Sequence, residues 1–99
     1  MTERNIEFEW DKNKVTANLR KHGVEFEEAE TAFDDEFARI FQDEEHSDEE
    51  PREILIGLSK RNRLLVISFV QRAHDRIRII SARLPDREER QDYEEQTRF

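Results

Sequence analysis

The residues best suited to chemistry are six arginines in the C-terminal half: Arg52, Arg63, Arg72, Arg76, Arg78 and Arg83. A guanidinium stays charged at any pH a cell meets and forks onto two oxygens of a phosphate or carboxylate. Arg76 and Arg78 alternate with Ile77 and Ile79, which puts both arginines on one face of a strand. An ordinary half-exposed strand shows the same alternation, so a solvated face stands beside the anion-binding reading. Arg83 falls where that strand ends, and parity does not fix its direction.

Three histidines are candidates for proton transfer. His22 follows Lys21 at the end of a helix, where the dipole favours a protonated imidazole. It reads as a general acid–base group or as a structural cap. His46 lies in an acidic run from Asp43 to Glu50, which is expected to raise its pKa. His74 occupies a turn and is expected to be inert. The acidic run lacks the glycine and alternate-position spacing of a calcium loop. There is no cysteine and no histidine pattern for zinc. P-loop, GxGxxG and glycine-flanked serine motifs are absent, and two glycines are too few for a backbone phosphate cradle. The expectation is chemistry without metal or cofactor.

The elements that position these groups follow from periodicity. Ile6, Phe8 and Trp10 alternate with Glu7 and Glu9 and predict a short strand. Asp11 N-caps a helix over 12–22, with Val15, Leu19 and His22 on its inner face and Gly23 ending it. A second helix spans about 25–33, presenting Phe26, Ala29 and Phe33. Residues 34–51 read as an exposed acidic connection with a brief extended stretch at 38–41. Three strands follow, over 53–59, 64–70 and 76–82, the middle one apolar on both faces and therefore central. Asn62 suits a positive φ in the first of the intervening turns. Asp86 and Glu89 have capping-box spacing for a last helix that includes Tyr93 and frays towards Phe99. This order specifies an α+β fold: a small antiparallel sheet of three to four strands with two N-terminal helices and a C-terminal helix. Residues 1–99 read as a single domain.

Composition sets the outer bounds. Of 99 residues, 34% are apolar and 42% charged, a balance that approaches disorder. Seven Phe, one Trp and three β-branched runs argue for a thin folded core. The longest apolar stretch, Leu64 to Val70, is far too short to span a membrane, and the opening residues lack a signal-peptide pattern. A soluble, cytoplasmic chain is expected. Residues 1–51 carry 17 acidic and 6 basic side chains, whereas 52–83 carry 8 basic and 2 acidic. A net charge of −8 argues against indiscriminate nucleic-acid binding. A basic strip can still hold phosphate locally, and the acidic half could face a basic protein partner.

Taken in order, these segments resemble the BrnT family of toxins. Phe8 to Ala29, FEWDKNKVTANLRKHGVEFEEA, is similar to the family's opening. Asp43, His46-Ser47, Glu50 and Arg52, leading into Ile56-Gly57-Leu58-Ser59, resemble its middle. RLLVISFVQR, IRIISAR and the stretch to Tyr93 resemble its close. Asn62 stands where the family usually has Gly, Pro51 is inserted before Arg52, and Leu84-Pro85-Asp86 replaces a basic stretch. The resemblance implies a RelE-like fold, metal-independent RNA cleavage and a BrnA-type ribbon-helix-helix antitoxin, through which alone the pair would contact DNA. Arg72, Arg78 and Arg83 are then expected to clamp phosphate with Lys21 assisting, and His22 to transfer the proton. His46, Glu50 and Arg52 stand in reserve. The rival reading is a non-catalytic protein-binding module acting as co-repressor with a DNA-binding partner. RNA binding without catalysis is a third, weakened by the scarcity of aromatics between the arginines.

Overall fold

The computed structural model describes residues 5–46 and 50–97. Ser47 of the family pattern, its neighbours Asp48 and Glu49, and the expected fraying towards Phe99 lie outside them. Five strands form one sheet: β1 (Glu7–Glu9), β2 (Arg39–Asp43), β3 (Arg52–Leu58), β4 (Leu64–Ala73) and β5 (Arg76–Arg83). Their spatial order is β1-β5-β4-β3-β2, with β4 central as its apolar sequence requires. The helices are α1 (Val15–His22), α2 (Phe26–Thr31) and α3 (Arg87–Thr97).

The expected antiparallel sheet of three to four strands is corrected in two respects. The stretch at 38–41 extends into a full edge strand, β2, and β1 joins at the opposite edge, parallel to β5. Period-two alternation reveals a strand but not its partner. In the observed register Glu7 and Glu9 stand beside Arg76 and Arg78, so charge is matched across the pairing, while Phe8 packs against the core.

One face of the sheet is covered by α1 and α2. Leu55, Leu65, Ile67, Phe69, Ile77 and Ile79 meet Val24, Phe26, Ala29 and Phe33 there. Phe33 packs edge-on against both Phe8 and Phe69, with centroids 5.0 and 5.1 Å apart. Gly57 lets the chain at Ala32 come close, because a Cβ there would lie 2.9 Å from the Ala32 carbonyl oxygen.

Helix α1 departs from the expected pattern. Residues 12–14 form a 3-10 turn capped by Asp11, and the α-helix begins only at Val15. Its buried side chain is Asn18, whereas Leu19 is 43% exposed. The Asn18 amide donates to the Val24 and Ala82 carbonyls and accepts from the Ala82 N–H, tying the helix to the end of β5. These bonds repay the burial of a polar side chain on the inner face. Gly23, at φ +70°, ends the helix as expected.

On the opposite face, α3 covers only one end, where Tyr93 packs with Ile56, Leu64 and Val66. Asp86 and Glu89 form the expected capping box. The Tyr93 hydroxyl donates to Asp35 at 2.6 Å, and Arg39 donates to the Asp92 carbonyl. Among the described residues no helix covers the rest of this face.

Candidate active site

The open face is organised in cross-strand rows. One row runs Asp43, Arg52, Val70, Arg78 and Glu9 across all five strands. The next runs Phe41, Ile54, Ser68 and Ser81, and the one after it Arg39, Ile56, Val66 and Arg83. A β-bulge makes this arrangement possible. Phe69 pairs with Ile79 and Ser68 with Ser81, so Ile80 is the extra residue. Beyond it the phase of β5 reverses, and Ser81 and Arg83 join Arg78 on the open face while Ala82 enters the core.

Asp43, Glu45, His46, Arg52, Ser68, Ser81 and Arg83 line an open depression of about 360 Å³, together with Ile54 and Val66. The Asp43 side chain is only 11% exposed, in contrast to the exposed connection expected from 34–51. His46 sits on a 3-10 turn directly after β2, its Nδ1 3.0 Å from Asp43 Oδ2. With Nδ1–H donating to the carboxylate, Nε2 is the nitrogen left to accept a proton. Arg83 forks onto Glu89 with two bonds of 2.8 Å. That hydrogen bonding holds the Glu89 carboxyl below its ordinary pKa and raises Arg83 further. The guanidinium is thus anchored at the rim by α3.

Of the residues singled out in the sequence, Arg83, Arg52 and His46 meet in the depression. Arg78 lies on the same face but outside the lining, bonded to Glu9 at 3.1 Å. Arg72 pairs with Glu50 at 2.6 Å, away from the lining. Lys21 and His22 end α1 and do not line it either. Burial, then the charges of Lys21 and Arg83, lower the pKa of His22. These effects oppose the protonated imidazole that the helix dipole favours. Arg63 has a structural task, bonding the buried Glu28. Sequence reading assigns no role to Ser68 and Ser81, although Ser68 interrupts the apolar run Leu64 to Val70 of the central strand.

Among the described residues no group of three or more His, Asp or Glu side chains could hold a metal ion. No helix among them is long and apolar enough to cross a membrane.

Sheet, bulge and arginine-flanked depression define a small α+β protein with a polar, charged hollow on one face of its sheet. The family model described as "Ribonuclease toxin, BrnT, of type II toxin-antitoxin system" matches residues 10–89, and the chain belongs to this family. Among solved structures it is similar to the ribonuclease toxin BrnT of Brucella abortus, with 23% identity and a TM-score of 0.64. That match covers 83% of this chain and 99% of the other, and at such identity it speaks for the fold. No curated protein matches the chain.

Proposed function

We propose that the chain is a metal-independent endoribonuclease toxin of RelE-like fold, neutralised by a BrnA-type antitoxin with a ribbon-helix-helix part. The observation that carries this reading is the convergence of His46, Arg52 and Arg83 on one depression, with Asp43 behind the imidazole. Proton transfer therefore moves from His22 to His46, and Arg52 takes the place of Arg72 and Arg78 beside Arg83 in the phosphate clamp.

The chemistry is an internal displacement. His46 Nε2 takes the proton of a ribose 2′-hydroxyl, and the 2′-oxygen attacks the adjacent phosphorus. Arg52 and Arg83 lie where charge builds on the non-bridging oxygens, a stabilisation that is often the largest single catalytic contribution. The P–O5′ bond then breaks. The products are a 2′,3′-cyclic phosphate and a 5′-oxygen that takes a proton from the imidazolium or from water. Asp43 fixes the ring through the hydrogen bond at Nδ1.

The test is incubation of antitoxin-free chain with RNA in EDTA, beside His46→Ala, Arg83→Ala and His22→Ala. Cleavage that survives chelation, ends in cyclic phosphate, disappears in the first two variants and persists in the third is the expected result. RNA left intact by the parent overturns the proposal.

A further inference from the structure

Two hydroxyls on the floor of the depression have no task within the fold. Ser68 of β4 and Ser81 of β5 are direct cross-strand partners, both half-buried and both lining the depression. Among the described residues neither hydroxyl has a hydrogen-bond partner. Fully buried side-chain nitrogens and oxygens in that set are all satisfied, so these two oxygens reach solvent through the depression. Their surroundings, Ile54, Val66 and Val70, would accept a valine at either position without the cost of desolvating a hydroxyl. Ser81 faces this way only because of the bulge at Ile80.

The register locates the pair between the two cations. Arg52 belongs to the row on one side of the serine row and Arg83 to the row on the other. Cross-strand neighbours have Cβ atoms about 5 Å apart, close enough for both hydroxyls to reach one tetrahedral anion. We infer that Ser68 and Ser81 seat the scissile phosphate of RNA, each donating a hydrogen bond to a non-bridging oxygen while Arg52 and Arg83 flank it. This rests on the ribonuclease reading above. Being uncharged, the serines fix position without adding to the electrostatic attraction.

That difference supplies the test. An all-2′-fluoro oligonucleotide lacks the nucleophile and cannot be cleaved, so fluorescence anisotropy reads binding alone. Ser68→Ala and Ser81→Ala each weaken binding about fivefold to tenfold, the worth of one net hydrogen bond. The dependence of affinity on salt keeps its slope in both, whereas Arg83→Ala makes it shallower by about 0.7 in log–log units. Ser68→Thr and Ser81→Thr keep the hydroxyl and bind as the parent does. Alanine variants that bind like the parent, or threonine variants that lose as much as alanine, overturn the inference. A parent that binds with the expected serine dependence but never cleaves RNA supports the phosphate seat while overturning the nuclease. A parent that cleaves RNA but does not bind the oligonucleotide overturns the inference and leaves the nuclease standing.

Discussion

Arg78 and Arg83 project from the same face of β5 although they stand five residues apart, an odd spacing that a regular strand divides between its two faces. The extra residue at Ile80 restores the match. Without it Ala82 would face the depression and Arg83 the helix-covered core. The bulge therefore converts a strand end into one wall of the site, a placement bulges often serve beside functional residues.

The two arginines should differ in effect. Arg83 lines the depression and Arg78 lies outside the lining, bonded to Glu9. Arg83→Ala is expected to lower the rate of RNA cleavage by about 10²-fold, in the range for loss of one preorganised donor. Arg78→Ala should cost much less. Initial rates in EDTA measure both, and equal losses would remove the distinction drawn from the row geometry.

His46 and Asp43 should fall in that order. Removing a proton-transfer group costs roughly 10²–10⁴-fold, so His46→Ala belongs among the most damaged variants. Asp43→Asn keeps the shape but withdraws the charge that orients the ring, and a smaller loss is expected. Full activity in His46→Ala would transfer the role elsewhere. His22→Ala, altered outside the lining, is the control.

Much of this was legible in the sequence, and the gaps have physical causes. The central strand, the Gly23 and Asn62 turns and the Asp86–Glu89 cap were readable because each is a local rule. The parallel pairing of β1 was not, since it joins residues about seventy positions apart. Arg83 and Arg52 were visible as charges, yet their convergence depends on register and on one bulge. His22 attracted notice by type alone, whereas His46 draws its standing from Asp43, largely covered at the end of β2, two residues beyond the extended stretch expected at 38–41. Asn18 escaped because a polar residue on an inner helical face has meaning only once its three backbone partners are known.

Asn18→Ala tests that last point. It leaves the Ala82 N–H and the carbonyls of Val24 and Ala82 without their partner in a buried setting. A loss of about 2–3 kcal/mol is expected from unsatisfied backbone groups. Urea denaturation measures it. A loss below about 0.5 kcal/mol, the level of an ordinary surface change, would mean that the tie from α1 to β5 contributes little.

Tyr93 is the chain's single tyrosine, so its ionisation is read without interference. Burial, and then its bond to Asp35, raise its pKa well above the ordinary 10. Tyrosinate absorbance should not appear as pH passes that value and should arrive together with unfolding. The sign follows from the raised folded pKa: this contribution is whole below 10 and is lost at higher pH. Titration near the ordinary value would show that α3 is not held down at Tyr93.

Acid stability depends on Glu28, Glu89 and Asp35. The Arg63 hydrogen bond, opposed by burial and aided by the Ser59 hydroxyl, holds Glu28 below its usual 4.5. Glu89 is lowered chiefly by Arg83. Burial alone would raise Asp35, but bonds from the Tyr93 hydroxyl and the Leu58 and Phe37 N–H groups bring it below its usual 3.8. A carboxyl with a depressed folded pKa binds its proton more readily in the unfolded chain. Its contribution is therefore complete above the unfolded value and disappears as pH falls through the folded one. The melting temperature should hold steady towards neutrality and drop as pH falls below about 4.5. Glu28→Gln should lower the neutral-pH melting temperature and flatten this acid limb, because Gln cannot take up the proton that breaks the Arg63 pair. An acid limb as steep in Glu28→Gln as in the parent would show that other carboxylates carry the pH dependence.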